Sequence, residues 1–213
     1  MRKVRGTLKA SIRLRLMAFT PLSTFVKPAS KIKFCPSCGG KVAQRLPDDG
    51  DNRIRAVCTV CDTVHYENPL LVVGTLPYTA DGRVLLCQRA IEPRKGYWTL
   101  PAGFMELGET ASQGAMRETA EEAGASIELG ALFSLISVPR VGQVHLFYLA
   151  QLQSEAFAPD PSETQAVRLV SAAELAATIH WDNIAFTTVR LTLKHFFADF
   201  ARGQFGTYVA DVP

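Results

Sequence analysis

The order of apolar and polar residues divides the chain into short strands and two long helices. Apolar runs of strand length occur at residues 70–76, 84–88, 131–138 and 144–151, and turn-forming residues 80–82 separate the first two. Apolar residues at helical spacing predict helices at 110–123 and 184–200. A capping box, Ser171 with Glu174 three residues later, indicates a short helix at 171–179. This mixture is typical of an α+β fold.

The apolar runs are too short to cross a membrane. The longest candidate, residues 70–76, is far below the roughly 18–20 residues that span a bilayer. Hydrophobic residues make up 47% of the 213 residues and charged residues 20%, which is enough apolar surface for a folded core. We therefore expect a folded cytoplasmic protein without a membrane partner.

Charge is unevenly distributed along the chain. Residues 1–47 contain eleven Lys or Arg and no acidic residue, whereas the rest contains twelve basic and twenty acidic residues. We interpret residues 1–31 as a basic, disordered tail, and the favoured interpretation of its first part is an over-long reading frame with the true start at Met17. An organelle-targeting peptide of similar composition is the less favoured alternative. The acidic body argues against binding of a long polyanion over its whole surface.

Four cysteines occur as two close pairs, which is typical of a zinc site. The pairs are separated by nineteen residues and predict a zinc ribbon at residues 32–66, with structural Zn²⁺ held by Cys35, Cys38, Cys58 and Cys61. Two disulfides or redox dithiols are the alternative, but disulfides need an oxidising compartment. His65 is interpreted as a linker residue and Cys87 as a core residue.

The helix predicted at 110–123 has clear end signals. Thr110 is a good N-cap residue, Gln113 completes a capping box, and Gly124 stands where a helix commonly ends. Pro101, together with glycines on either side of Phe104–Leu107, predicts an irregular loop before the helix, whose backbone N–H groups can face phosphate.

Carboxylates share one face of this helix. Residues three and four apart are neighbours on a helix, so Glu118, Glu121 and Glu122 repel one another unless a cation compensates. Arg117 offsets one charge only. Hard oxygen ligands in this arrangement favour Mg²⁺ or Mn²⁺. A solvated acidic helix face is the alternative.

These residues resemble a known signature, the Nudix box. The matching positions are Gly103, Glu109, Arg117, Glu118, Thr119, Glu121, Glu122, Gly124 and Ala125, with Thr119 and Ala125 at two positions that are usually aliphatic. The resemblance implies a Nudix α/β/α sandwich with a mixed sheet over residues 67–200, preceded by the zinc ribbon. Residues 201–213 are expected to form a C-terminal tail.

The resemblance also implies roles for residues in this region. Glu118 and Glu122 would ligate Mg²⁺ near the Ala102 carbonyl, and Glu121 would complete the metal site or act as general base. Arg117 would orient a catalytic carboxylate. Glu109, Gly103 and Gly124 would support the loop and helix, and Glu163 is the candidate for a distal base.

The resemblance further implies hydrolysis of a nucleoside diphosphate linked to another group. One ribbon-bearing branch hydrolyses NADH and carries a Ser-Gln-Pro-Trp-Pro-Phe-Pro stretch, which residues 134–140 lack. The layout favours the branch that resembles ADP-ribose and FAD pyrophosphatases, with AMP as a product. Arg89, Trp98 and Phe104 are candidates for substrate binding, although each aromatic is also a typical packing residue. Many relatives are homodimers.

A function of another class remains open. The ribbon and basic tail would then bind nucleic acid, and the Nudix domain would be a catalytically silent sensor. Acidic residues interleave with the ribbon's basic ones, and no aromatic stacking platform is apparent, so nucleic acid is not the favoured partner.

Overall fold

A computed structural model describes residues 32–213, which form two separate compact units, 32–69 and 70–213. The prediction for residues 1–31 lies outside the described residues. Within the described part of the chain, no helix is both long and apolar enough to cross a membrane.

The first unit is a three-stranded antiparallel sheet with loops that carry the cysteines. Its strands are β1 (Val42–Arg45), β2 (Arg55–Cys58) and β3 (Val64–His65), in that order across the sheet. Its buried hydrophobic residues are few: Cys35, Ala56, Val57 and Cys58. Such a small apolar interior gives little stability by itself.

The second unit is built on a mixed sheet in the order β10-β5-β4-β9-β8-β11. The β4–β9 and β8–β11 pairs are parallel, and the β10–β5, β5–β4 and β9–β8 pairs are antiparallel. The strands are β4 (Leu70–Tyr78), β5 (Val84–Arg89), β6 (Trp98–Thr99), β7 (Ala102–Phe104), β8 (Ile127–Val138), β9 (Gln143–Leu152), β10 (Thr164–Val170) and β11 (Tyr208–Asp211).

Helices lie on both faces of this sheet, which confirms the predicted sandwich. Helix α1 (Ala111–Ala123) packs on β4 and β7, and Ala123 lies in a small apolar cluster with Leu85 and Cys87. On the other face, α3 (Thr187–Arg202) contributes to a larger core. α2 (Ala172–Glu174) continues into a π-helical turn, Leu175–Ile179, which joins the same core.

Strands β4 and β5 separate after their shared turn, and this opening positions the site. They pair only at Tyr78 and Val84, while β7 pairs with β4 and β6 pairs with β5. Gly74 lets the inserted segment approach, since a Cβ there would lie 2.4 Å from the Pro101 carbonyl oxygen. The segment that leads into α1 is thereby held between two strands.

The C-terminal segment 201–213 is not a tail, contrary to the prediction. α3 ends at Gly203, which adopts a left-handed conformation, and the chain then returns along β8 as β11. Phe205 stacks on Phe196 at 5.8 Å between ring centroids, and Tyr208 stacks on His195 at 3.5 Å. Aromatic packing and a parallel strand pair hold a segment that is too short to give a sequence signal.

Candidate active site

The caps of α1 fix the helix that carries the glutamates. The Thr110 hydroxyl accepts from the Gln113 backbone N–H at 3.2 Å, and the Gln113 side chain accepts from the Thr110 N–H at 2.8 Å. At the other end Gly124 has φ 57°, and a Cβ there would lie 2.3 Å from the Ala158 carbonyl oxygen. Both end signals predicted from the sequence are confirmed, and only glycine fits the second.

Two of the three predicted glutamates are buried and the third is at the rim. Glu118 and Glu122 are each 8% exposed, whereas the Glu121 side chain is 54% exposed. The Ala102 backbone N–H donates to Glu122 Oε2 at 2.9 Å. A Cβ at Gly103 would lie 2.3 Å from Glu118 Oε1, so a larger residue on β7 would displace this carboxylate.

Arg117 connects the remaining carboxylates of this face. Its guanidinium donates to Glu118 at 2.7 Å, to Glu121 at 2.9 Å and to both oxygens of Glu109 at 2.9 and 3.1 Å. It also donates to the Phe104 carbonyl oxygen at 3.2 Å. One cation therefore holds three carboxylates and the loop that precedes the helix.

The carboxylates differ in proton affinity because their surroundings differ. Burial raises the pKa of Glu122 to about 7, against the opposing effect of the Ala102 N–H. Burial also raises the pKa of Glu118, while the hydrogen bond from Arg117 opposes it. The same guanidinium lowers the pKa of Glu109 to about 2. The Glu109 carboxyl therefore stays ionised at neutral pH, whereas the Glu122 carboxyl exchanges a proton near neutral pH.

The glutamates suit a hard divalent cation by chemistry, although they are spread apart. Within residues 32–213, the four ribbon cysteines form the group of potential metal ligands whose donor atoms all lie within 4.8 Å of one another, and the glutamates form no such group. The glutamates are instead held by separate donors, Arg117 and the Ala102 N–H. Their oxygen atoms and their shared helix face still match the ligands that Mg²⁺ and Mn²⁺ prefer.

Arg89 and Glu163 lie near the glutamates. The charge of Arg89 lowers the pKa of Glu122, and the charge of Glu163 raises the pKa of both Glu118 and Glu122. The Ala90 N–H donates to the Glu163 carbonyl oxygen at 2.8 Å, which joins the two loops that carry these residues. The structure thus brings both candidates to one side of the site.

The two aromatic candidates are placed differently. Phe104 is 51% exposed on β7, next to the site. Trp98 is partly buried, packs on the larger core and pairs with Ile184 in a β-bridge. Its contacts are those of a packing residue.

Sequence reasoning missed the partners of two side chains. His145, which has no partner visible in the sequence, contacts Gln143 and Thr188 at 3.0 Å each. Phe186 packs on the larger core and also lies under the Arg89 guanidinium, whose central carbon is 5.3 Å from the ring centroid. The contacts of His145 with Thr188 and of Phe186 with Arg89 join residues that are distant in sequence, so no local pattern predicts them.

The four ribbon cysteines converge in the first unit. All are free thiols, with Cys38 and Cys58 sulfurs 3.4 Å apart and Cys35 and Cys61 sulfurs 3.8 Å apart. Backbone N–H groups of Val60 and Cys61 point at Cys58 Sγ, each at 3.4 Å. Four sulfurs at this spacing fit a tetrahedral metal, which requires the thiolate form.

Two of the ribbon's basic side chains are paired with acids. Arg45 binds Asp48 at 3.0 Å and Asp62 at 2.8 Å. Arg55 binds Asp51 at 2.7 Å and lies over the Tyr66 ring. These arginines are therefore not free to meet phosphate.

Comparison with known proteins decides the family. The sequence model of the NUDIX domain matches residues 68–189, and that of the Nudix N-terminal zinc ribbon matches residues 33–67. The chain belongs to the Nudix family. The two matches meet at residues 67 and 68, close to the division between the structural units.

Curated relatives of this Nudix chain share a name. This chain is 26% identical to the NAD-capped RNA hydrolase NudC of Vibrio parahaemolyticus over 79% of its own length and 62% of the relative. It is 31% identical to NudC of Photobacterium profundum over 75% of the chain and 58% of the relative. The chain thus spans about three fifths of the length of these relatives.

Solved structures agree with the Nudix fold. A NUDIX hydrolase from Nitrosomonas europaea is 42% identical, with a TM-score of 0.77 over 85% of this chain and 99% of that one. The bifunctional NMN adenylyltransferase/ADP ribose pyrophosphatase of Francisella tularensis is 20% identical, with a TM-score of 0.51 over 59% of this chain and 40% of that one. The second likeness shows the fold alone.

Proposed function

We propose that this Nudix protein hydrolyses the pyrophosphate bond of a nucleoside diphosphate-linked compound and releases AMP. The observation that carries the proposal is the burial of both Glu118 and Glu122 on one face of α1, against the Ala102–Gly103 backbone. Burying two carboxylates costs stability unless a cation or hydrogen-bond donors compensate, and proteins commonly retain this cost at functional sites. A solvated helix face would leave both exposed.

Glu118, Glu121, Glu122 and the Ala102 carbonyl are the proposed ligands of Mg²⁺ or Mn²⁺. When bound, such ions neutralise phosphate charge and lower the pKa of the attacking water. Arg117 keeps Glu118 and Glu121 oriented, and Glu109 fixes Arg117 to the loop. Gly103 leaves room for Glu118, and Gly124 ends the helix behind the ligands.

Two glutamates are candidates for the general base. Glu121 is exposed at the rim of α1 and can accept a proton from water if it does not ligate metal. Glu163 is exposed and close enough to Glu118 and Glu122 to alter their pKa values. Loss of the rate's dependence on pH in Glu121→Gln or in Glu163→Gln identifies which residue serves.

Two substrate classes are supported by different observations. The absence of the NADH-associated stretch at residues 134–140 favours FAD or ADP-ribose. The names of the curated relatives favour a NAD-type substrate, either free or at the end of an RNA. An NAD cap would make RNA a substrate through its terminal dinucleotide, so the expectation against nucleic acid does not extend to capped RNA.

For the ribbon, we propose a structural Zn²⁺ on Cys35, Cys38, Cys58 and Cys61. The supporting observations are the sulfur spacing and the match to a zinc-ribbon family. The rival function, nucleic-acid binding with a silent Nudix sensor, is weakened by the paired Arg45 and Arg55. The complete set of glutamates also argues against a silent domain.

A substrate panel with Mg²⁺ tests the proposal. We expect AMP from at least one of ADP-ribose, FAD and NADH, or nicotinamide mononucleotide and 5′-monophosphate RNA from NAD-capped RNA, with loss of activity in EDTA. Glu122→Gln should lower kcat at least about 100-fold, because it removes a ligand charge. Glu128→Gln, on the exposed side of β8, is the matched control and should keep full activity. No cleavage of the pyrophosphate bond in any of these substrates, together with salt-sensitive binding of uncapped RNA, would overturn the proposal.

A further inference from the structure

Arg89 is a cation at the site that the proposed metal chemistry does not use. It ends β5, and its Nε donates to the Pro93 carbonyl oxygen at 2.8 Å. Among residues 32–213, its two terminal amino groups have no hydrogen bond or ion pair. Most other arginines near acidic groups are paired, as Arg117 and Arg83 are. A partly buried guanidinium with free donors is suited to an anionic ligand.

The surroundings of Arg89 place this cation beside the buried glutamates. Its charge acts on Glu122, and Thr164, which follows Glu163, is its partner across the β5–β10 pair. No ion pair joins Arg89 to Glu163, although their loops are hydrogen-bonded through Ala90. The guanidinium therefore lies next to the place where a pyrophosphate would meet Glu122.

Phe186 gives this guanidinium a fixed support. The ring lies 5.3 Å from the Arg89 guanidinium carbon, and it packs on the larger core. Its segment is anchored twice, because the Ala185 N–H donates to the Trp98 carbonyl oxygen at 2.8 Å and Ile184 pairs with Trp98. Phe186 is then the last residue before α3. The backbone that carries the ring is therefore held by β6 on one side and by the start of the helix on the other.

We propose that Phe186 is a positioning residue that holds the Arg89 guanidinium flat, so that its free amino groups bind a phosphate of the substrate. The proposal rests on the proposed pyrophosphate hydrolysis and extends it to a residue outside the family signature. Arginine binds phosphate through two parallel N–H donors, and this geometry requires a fixed plane. Stacking on an aromatic ring fixes that plane and leaves the guanidinium N–H donors free to bind phosphate.

Steady-state kinetics of matched variants test the role of Phe186. Phe186→Leu should lower kcat/KM about 3- to 30-fold, mainly through KM, which is the range expected for a lost cation–π contact. Phe186→Tyr keeps the ring and should stay within about 2-fold of the wild type. Phe197→Leu is the control, since Phe197 packs on the same core from α3 but does not contact Arg89.

A double-mutant cycle separates positioning from packing. In an Arg89→Met background, Phe186→Leu should cause almost no further loss, because the cation that it supports is gone. Losses that multiply in the double variant, or a Phe197→Leu variant as impaired as Phe186→Leu, would overturn the proposal. Thermal unfolding of every variant checks that the comparison is made on folded protein.

A binding measurement keeps this proposal independent of the proposed function. Calorimetry with inorganic pyrophosphate and Mg²⁺ should show the same order of affinities, with wild type and Phe186→Tyr above Phe186→Leu and Arg89→Met. If the wild type turns over no substrate but the proteins still show this order of affinities, the proposed Arg89 site is supported and the proposed hydrolysis is wrong. If the wild type is active but all variants bind pyrophosphate with equal affinity, the proposed Arg89 site is wrong and the proposed hydrolysis stands.

Discussion

The ribbon and the α1 face each gather metal-ligand side chains, but in opposite ways. The four cysteine sulfurs lie within 4.8 Å of one another, in a unit with very few buried apolar residues. The glutamates are spread apart on a helix that packs on a large sheet, and each is held by a protein donor. The first arrangement suits a metal that stabilises the fold, whereas in the second the fold is complete without the metal that we propose for the chemistry.

Removal of a ribbon ligand should produce the largest effect. Cys58→Ser should abolish binding of one zinc per chain and unfold the ribbon, because a structural zinc supplies on the order of 10 kcal/mol. Metal analysis and circular dichroism measure both effects. Cys87→Ser, a buried cysteine of β5 outside the cluster, should keep the zinc. A ribbon that stays folded without zinc would remove the contrast between the two regions.

Substitutions of two glycines, Gly103 on β7 and Gly74 on β4, should affect catalysis and stability separately. Gly103→Ala pushes only the end of the flexible Glu118 side chain, so we expect kcat to fall about 10- to 100-fold with little change in Tm. Gly74→Ala meets the backbone of Pro101 and Ala102, which cannot move cheaply, and should cost about 1–3 kcal/mol of stability. Equal losses of Tm in both variants would contradict this division.

A buried histidine should make the second unit sensitive to acid. Burial lowers the pKa of His145 to about 4, so the folded state keeps this ring neutral while the unfolded chain protonates it below about 6.5. Its contribution to stability is therefore present above pH 6.5 and declines as the pH falls toward 4, by about 2–3 kcal/mol.

Chemical denaturation from pH 7 to 4 measures this effect as a difference between variants. His145→Gln should lose stability less steeply than the wild type over that range. His180→Asn, which replaces an exposed histidine, should follow the wild type. Parallel curves for all three proteins would rule out His145 as the acid-sensitive group.

The two capping boxes should give the smallest effects. Thr110→Ala and Ser171→Ala each remove a cap hydrogen bond and should cost about 1 kcal/mol. Only the first lies on the helix that carries the glutamates, so only Thr110→Ala should also reduce kcat. Denaturation and kinetics on both variants measure the two effects, and a kcat loss in Ser171→Ala would show that the cap effect is not local.

Elements with local signals were predictable from the sequence. α1 has both caps and a signature within residues 103–125, and its bounds agree with the structure. The four main strand predictions fall within β4, β5, β8 and β9. These elements carry strong periodicity or terminal residues that act within a few positions.

Elements that depend on distant partners were not predictable in the same way. β10 and β11 were not predicted, and their pairing with β5 and β8 determines them. α3 begins at Thr187 rather than 184, because Ile184 pairs with Trp98 and is extended. Likewise, the contact of Phe186 with Arg89 joins a helix start to a strand end, and no spacing along the chain encodes it.

Arg117 has a consequence for how this protein family can diverge. Because one guanidinium is shared among Glu109, Glu118 and Glu121, loss of either α1 glutamate leaves it still neutralised by the others. The proposed reaction can thus be lost by substitution of Glu118 or Glu121 while Arg117 keeps ion pairs with the other carboxylates. Loss of catalysis therefore need not lower stability in this architecture, so the identity of the carboxylate residues is what distinguishes an active relative from an inactive one.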